Sequence, residues 1–239
     1  MNSNFLTAVK ENGLFVLEFL GIVLVIFIIA YAFDKMAKKK NNDTERILST
    51  KAIVLIGMFA AVSTVLMLFE IPVPFAPAFY KLDFSELPAL IAGFAYGPVA
   101  GVMVEFIKIV LKTLVKGTST AFVGELANFV IGCALVLPAS IIYRFKKTKV
   151  NAIIACVVGT AVITFIGPMF NAVYLLPAFA ALYGMPMDAI IGMGSAINPK
   201  ITSVTSLVIM AVAPLNLIKG TLVSILTVLI YKPLSRMFK

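Results

Sequence analysis

Asn216 and Lys219 stand three residues apart in APLNLIKG, Ala213 to Gly220, at the start of a membrane-length apolar run. A lysine near a bilayer centre costs roughly 2.5–3.5 kcal/mol on insertion scales, so its presence marks a functional site. Pro214 suits the first turn of a helix, where its missing N–H loses nothing. That start predicts Lys219 about five residues into the helix, roughly 8 Å deep at 1.5 Å per residue, in the outer third of the membrane. The i, i+3 spacing puts both residues on one face. An amide that donates and accepts then sits beside a cationic donor, a pair able to read a polar small molecule.

Further polar groups cluster towards the same side. In GTSTAFVGELANFVIG, Glu125 and Asn128 repeat the i, i+3 spacing just after Gly124, at the expected start of another helix. A Glu capping its own helix and an Asn bonding a neighbouring helix is the structural alternative. IPVPFAPAFYKLDFSELPAL, Ile71 to Leu90, holds four prolines, four aromatics and the charges Lys81, Asp83 and Glu86. Proline limits the backbone states lost on binding, so this segment predicts a preformed lid over a pocket, with an aromatic-anchored connector as the alternative. Glu105, Lys108 and Lys112 share another helical face, where Glu105 and Lys108 are expected to neutralise each other inside the bundle. Gly57 and Ala61 form a small-xxx-small pair, the signature of close helix approach by a partner in this chain or another.

Absences narrow the chemistry. The chain has no histidine, which removes His-dependent triads and His-ligated metal or haem sites. It has no GxxxxGK[ST] phosphate loop, so nothing here is expected to bind and hydrolyse ATP, and any nucleotide-driven step has to be supplied by another chain. Cys133 and Cys156 lie in apolar runs without partner spacing and predict two buried small residues. No catalytic residue and no metal ligand is assigned.

The elements that position these groups are membrane helices. With 61% hydrophobic residues, 13% charged and a mean hydropathy of +1.05, the chain has too little polar surface to cover its apolar mass in water. Seven apolar segments are expected: Leu14 to Phe33, Ala52 to Phe69, Leu87 to Tyr96, Val99 to Val115, Phe122 to Ile142, Ala152 to Leu176 and Pro214 to Tyr231. The third is short, and either extends into Ser85 and Glu86 or lies obliquely after the Gly97–Pro98 turn. Basic residues are concentrated in Lys35 to Lys51, Arg144 to Lys149 and Lys232 to Lys239. Lys10, Lys81, Lys112, Lys116 and Lys200 fall on the other side. The positive-inside rule therefore predicts an extracellular N-terminus and a cytoplasmic C-terminus. A net charge of +9 facing anionic lipid needs no nucleic acid to explain it. The first helix, followed by KMAKKKNNDTER, is too long for a signal-peptide core and predicts a retained appendage, with Glu18 wetted near its outer end.

KLDFSELPALIAGFAYGPVAG, GELANFVIG, INPKITS and APLNLIKG follow one another in that order. Together they resemble the riboflavin-specific substrate-binding component (S component) of energy-coupling-factor (ECF) vitamin transporters, over roughly Lys51 to Lys239. The resemblance implies an all-α integral membrane protein: a six-helix domain over residues 51–239, forming a cup open to the outside. Residues 1–50 add a transmembrane helix and a basic linker to it. It implies substrate contacts from Leu82, Asp83 and Leu87 in the lid, Gly124 and Asn128 in the GELAN segment, and Asn216 and Lys219. Riboflavin is then the transported substrate, with FMN undistinguished from it and no cofactor implied. The partners are a transmembrane coupling subunit, met through Gly57 and Ala61, and two ATPase subunits. Every implied ligand residue follows Lys51, so the first helix is expected to be dispensable for binding. Two other readings stand beside this one: a carrier of another vitamin or heterocycle, and an intramembrane enzyme using Glu105 with Lys108 or Glu125 with Ser119.

Overall fold

A computed structural model describes the backbone of residues 13–234 and the side chains of residues 16–231, in both cases without 119 and 121. The charges of Lys10, Lys232, Arg236 and Lys239 and the hydroxyl of Ser119 lie outside the described residues. The described helices are α1 (Gly13–Lys40), α2 (Thr50–Leu68), α3 (Glu86–Tyr96), α4 (Pro98–Lys116), α5 (Val123–Phe145) and α6 (Lys149–Phe170), then α7 (Leu176–Tyr183), α8 (Met187–Ser195), α9 (Val204–Leu207) and α10 (Ala213–Leu234). Between α2 and α3, two short antiparallel strands, β1 (Ile71–Pro72) and β2 (Lys81–Leu82), close the proline-rich segment into a hairpin.

Among the described residues, five continuous helical stretches are long and apolar enough to cross a membrane: Val16–Lys40, Thr50–Leu68, Val123–Phe145, Lys149–Tyr183 and Val204–Tyr231. Two of the seven expected segments differ. α3 starts at Glu86 and has only 11 residues. α4 carries Glu105, Lys108, Lys112 and Lys116, so it depends on its neighbours to neutralise its charge.

The last two long stretches correct the sequence expectation. α6 does not stop near Leu176 but runs through a π turn at Asn171–Leu175 into α7. α10 does not begin at Pro214, because the helix starts at Val204, where Ser203 and Ser206 form a reciprocal capping box. It then passes through a second π turn at Val208–Val212. Each π turn lies just before a proline, Pro177 or Pro214. A proline inside a helix lacks an N–H and crowds the carbonyl four residues back. The wider turn accommodates both defects: the Leu176 N–H reaches the Asn171 carbonyl and the Ala213 N–H reaches that of Val208. Lys219 is therefore fifteen residues into a continuous helix and not about five, roughly 22 Å from its start.

α5 packs along α6, α6 along α10, and α2 along α4, with α3 wedged against α2, α4 and α5. The main core lies among these helices, with fully buried Phe94 stacked on Tyr143 at 4.4 Å between ring centres. α1 is docked on α4 and α5. Phe19, Val23, Ala30 and Ala37 are buried, and Phe19 meets Phe129 edge-on at 6.2 Å.

Charge fixes the other end of α1. Asp34, with no exposed surface, accepts from Arg144 Nε at 3.0 Å, and Arg144 Nη2 donates to Asp43 at 3.0 Å. Lys38 pairs with Asp43 at 3.0 Å, and Asn41 donates to the Arg144 carbonyl at 3.0 Å. The Asp34 carboxylate also fills the corner between α3 and α4. Gly97 adopts φ +103° there, and an added Cβ would come within 2.6 Å of Asp34 Oδ2. A negative charge at that corner suits the N-terminal end of the α4 dipole.

Asp34→Ala is expected to lower stability by about 1.5–3 kcal/mol, the worth of a hydrogen bond to a charged group. The loss stays below the roughly 3–5 kcal/mol of a wholly unpaired buried ion because Asp43 still holds Arg144. Thermal unfolding of the purified protein in detergent, with the lysine-rich linker intact, measures it.

Candidate substrate-binding site

A cavity of about 560 Å³ opens at the end of the bundle opposite Arg144. That volume lies within the roughly 300–1,000 Å³ of small-molecule pockets. Its walls come from the hairpin (Glu70, Phe79, Lys81, Asp83), the α4–α5 turn (Lys112, Thr118, Thr120), the start of α5 (Gly124, Glu125, Asn128) and the α7–α8 pair (Leu176, Phe179, Tyr183, Ile190).

Side chains brace the hairpin, the α4–α5 turn and the start of α5. Glu125 accepts from the hydroxyls of Thr118 at 3.1 Å and Thr120 at 3.0 Å, and Thr120 Oγ1 accepts from the Gly124 N–H at 3.0 Å. The α4–α5 turn is thereby locked to the first turn of α5. Asn128 donates to the Gly124 carbonyl at 2.9 Å, which orients its amide on the cavity wall.

The hairpin is tied down at both ends. Glu70 accepts from Lys81 at 2.9 Å and Lys112 at 2.8 Å, and pairs with Lys116 at 3.5 Å. Burial alone would raise its carboxyl, but the hydrogen bonds from Lys112 and Lys81 outweigh it and hold the pKa at about 2, below the ordinary 4.5. Tyr80 donates to Asn171 Oδ1 at 2.9 Å, and Asn171, buried in the first π turn, donates back to the Gly167 carbonyl at 2.8 Å.

Beneath the cavity five buried charged groups form one chain. Asp83 pairs with Lys219 at 3.2 Å, Lys219 with Glu86 at 2.8 Å, Glu86 with Lys108 at 3.3 Å and Lys108 with Glu105 at 2.7 Å. Lys108 also donates to Ser85 Oγ at 2.8 Å, and the Ser63 hydroxyl donates to the Ser85 carbonyl. Burial pushes the Asp83 carboxyl up, but the ammonium groups of Lys219 and Lys108 prevail and hold it well below the usual carboxylate range. Asp83 thus presents a fixed negative charge on the cavity wall, with a fixed positive charge behind it. The site can accept from a ligand's N–H or hydroxyl groups and steady its carbonyl edge.

Residues 51–231 match the family of the ECF transporter substrate-specific component. The chain belongs to that family. The S component is 31% identical to the riboflavin transporter FmnP of Bacillus subtilis (strain 168), over 77% of this chain and 92% of the relative. It is 34% identical to the riboflavin transporter RibU of Staphylococcus aureus (strain TCH60), over 79% of this chain and 93% of the relative. A solved S component of a bacterial ECF transporter superposes with a TM-score of 0.62 at 33% identity, covering 80% of this chain and 98% of that one. The family and these relatives are transporters.

Of the expected substrate residues, Asp83, Gly124 and Asn128 face the cavity. Lys219 reaches Asp83 from beneath, so those two groups meet across 136 residues of sequence. Asn216 is 3% exposed and lies against Gly167, with its Nδ2 lacking a hydrogen-bond partner among the described residues. It does not line the cavity. Leu82 is half-buried in β2, and Leu87 is half-buried against the main core. Glu105 and Lys108 do neutralise each other, but as the inner end of a longer chain that includes Glu86, which spacing alone did not mark. The signal for Glu86 was available in principle: an intramembrane lysine requires an anionic partner, and Glu86 is the acidic residue at the base of the lid.

Gly57 and Ala61 are exposed, and among the described residues nothing beyond its own helix turn lies within 4 Å of a Cβ placed on Gly57. Glu18 is exposed and accepts from the Tyr174 hydroxyl at 2.6 Å. Both cysteines are free and buried. Among the described residues no group of three His, Cys, Asp or Glu is placed to hold a metal ion.

A carboxylate whose pKa is depressed on folding contributes fully above its unfolded value and loses that contribution as pH falls towards its folded one. Glu70→Gln is therefore expected to be less stable than wild type near neutral pH, with the deficit shrinking as pH falls from 4.5 to about 2. Melting temperatures of both proteins across an acid titration test this.

Proposed function

We propose that the S component captures riboflavin from outside the cell and delivers it inward when joined to an ECF transmembrane coupling subunit and two ATPase subunits. The observation that carries this reading is the 34% identity to the Staphylococcus riboflavin transporter across 93% of its length. The cavity suits the ligand. Riboflavin has a flat ring with apolar faces, carbonyl acceptors and an imide N–H along one edge, and a hydroxylated tail. Phe79, Phe179 and Leu176 offer apolar walls, while Asp83 and Asn128 offer acceptor and donor groups. Lys219 and Asn216 support the polar end from one layer below, and Leu82, Leu87 and Gly124 complete the proposed contact set. FMN fits the same description apart from its phosphate. The cavity faces outward, with the basic end carrying Lys38, Arg144 and Lys147 in the cytoplasm and the N-terminus outside. Ligand transfer involves no bond-making step, and the chain is a receptor and not an enzyme.

An equilibrium titration of the purified full-length protein with riboflavin tests the reading, and failure to bind it would overturn the substrate assignment. Lys219→Ala is expected to weaken binding by roughly 10- to 150-fold, the range for losing a charge-assisted hydrogen bond in a desolvated site, and Asn216→Ala, which removes a neutral amide, by roughly 2- to 12-fold, neither preventing membrane insertion. Wild-type affinity in a folded Lys219→Ala protein would remove Lys219 from the site.

The exposed face around Gly57 and Ala61 is the proposed contact for the coupling subunit, where small residues allow helices to approach closely. Gly57→Leu and Ala61→Leu are expected to reduce riboflavin uptake by the reconstituted complex while leaving riboflavin affinity of the isolated subunit unchanged. Equal loss of both activities would contradict the assignment.

A further inference from the structure

Two buried lysines share one carboxylate oxygen. Glu86 Oε1 lies 2.8 Å from Lys219 Nζ and 3.3 Å from Lys108 Nζ, and Glu86 is 1% exposed. Its other oxygen has no hydrogen-bond partner among the described residues. Lys108 is itself immobilised by Glu105 and by Ser85 Oγ. Glu86 is therefore anchored on its inner side and free to serve as a fixed stop for Lys219 on its outer side.

Lys219 needs such a stop. An ammonium on a flexible four-carbon stem is a point charge with no preferred direction. Its contact with Asp83, at 3.2 Å, is the longer of its two ion pairs and involves a group on the hairpin side of the cavity. The Glu86 contact comes from the rigid start of α3 and pins the ammonium from behind.

We propose that Glu86 is a positioning residue for the ligand: it fixes the Lys219 ammonium and, through it, the Asp83 carboxylate that the ligand's polar edge meets. This rests on the riboflavin reading above. The rival role for Glu86 is plain charge balance for Lys108 and Lys219, which would support folding without shaping the site.

The two roles separate in a double-mutant cycle on the full-length protein. Riboflavin affinity and the visible absorption spectrum of the bound flavin are measured for wild type, Glu86→Gln, Lys219→Met and the double variant. The expected result is a loss of about tenfold in Glu86→Gln, with the bound-flavin bands shifted in the same direction as in Lys219→Met. The double variant should bind no more weakly than Lys219→Met. Should Glu86→Gln not fold, Glu86→Asp keeps a negative charge near both lysines, and so the charge balance, but shortens its reach to Lys219 by one methylene, and the same loss and spectral shift are expected. Losses that add in the double variant, or wild-type affinity and spectrum in folded Glu86→Asp, would overturn the positioning role. If wild type binds no riboflavin, the riboflavin reading falls and this inference with it. If wild type binds while Lys219→Met matches it, the positioning role alone is lost.

Discussion

Burying charge in a membrane protein is costly unless each ion has an opposite neighbour, and the chain from Asp83 through Lys219, Glu86 and Lys108 to Glu105 meets that constraint by alternating three carboxylates with two ammonium groups across four elements. α4 supplies the inner pair, α3 the central carboxylate, α10 the second ammonium and the hairpin the outer carboxylate. No one of these elements is compatible with an apolar interior by itself. Each becomes so only when the others are in place, which ties the formation of the cavity floor to assembly of the bundle. The same matching lets the charged α4 sit at the centre of the fold, between α2, α3 and α5.

The two π turns serve the same end. Both lie where a proline interrupts a long helix on the cavity side, and both leave a polar or packed side chain in a place an unbroken α-helix would not offer. The first buries Asn171, which holds the Tyr80 end of the hairpin. The second shifts the register of the helix that carries Asn216 and Lys219. The hairpin is thus held at Glu70, Tyr80 and Asp83 by three different helices, α4, α6 with its π extension, and α10.

The sequence carried the helices better than their ends. Apolar runs of bilayer length are hard to mistake, and the residues of the GELAN and lid segments were legible as a group because several motifs occur in one order. Pro214 misled for a physical reason: a proline at a helix start and a proline after a π turn look alike when the widened turn leaves no mark on composition. The true start, at Ser203, is a polar capping box inside a segment with little periodicity. Glu86 was hidden because a charge next to prolines and aromatics reads as a loop charge, and its partners lie 22 and more than 130 residues away. The docking of α1 was hidden likewise, since spacing within a helix says nothing about an ion pair spanning 110 residues.

That last separation has a consequence in time. Translation proceeds at about 5–20 residues per second, so Arg144 emerges roughly 5–20 s after Asp34. For that interval α1 has to settle in the bilayer with only the lysine-rich stretch beside it to balance its carboxylate. α1 is therefore made well before its partner charge, and its electrostatic surroundings are complete only once α5 has followed it into the bilayer.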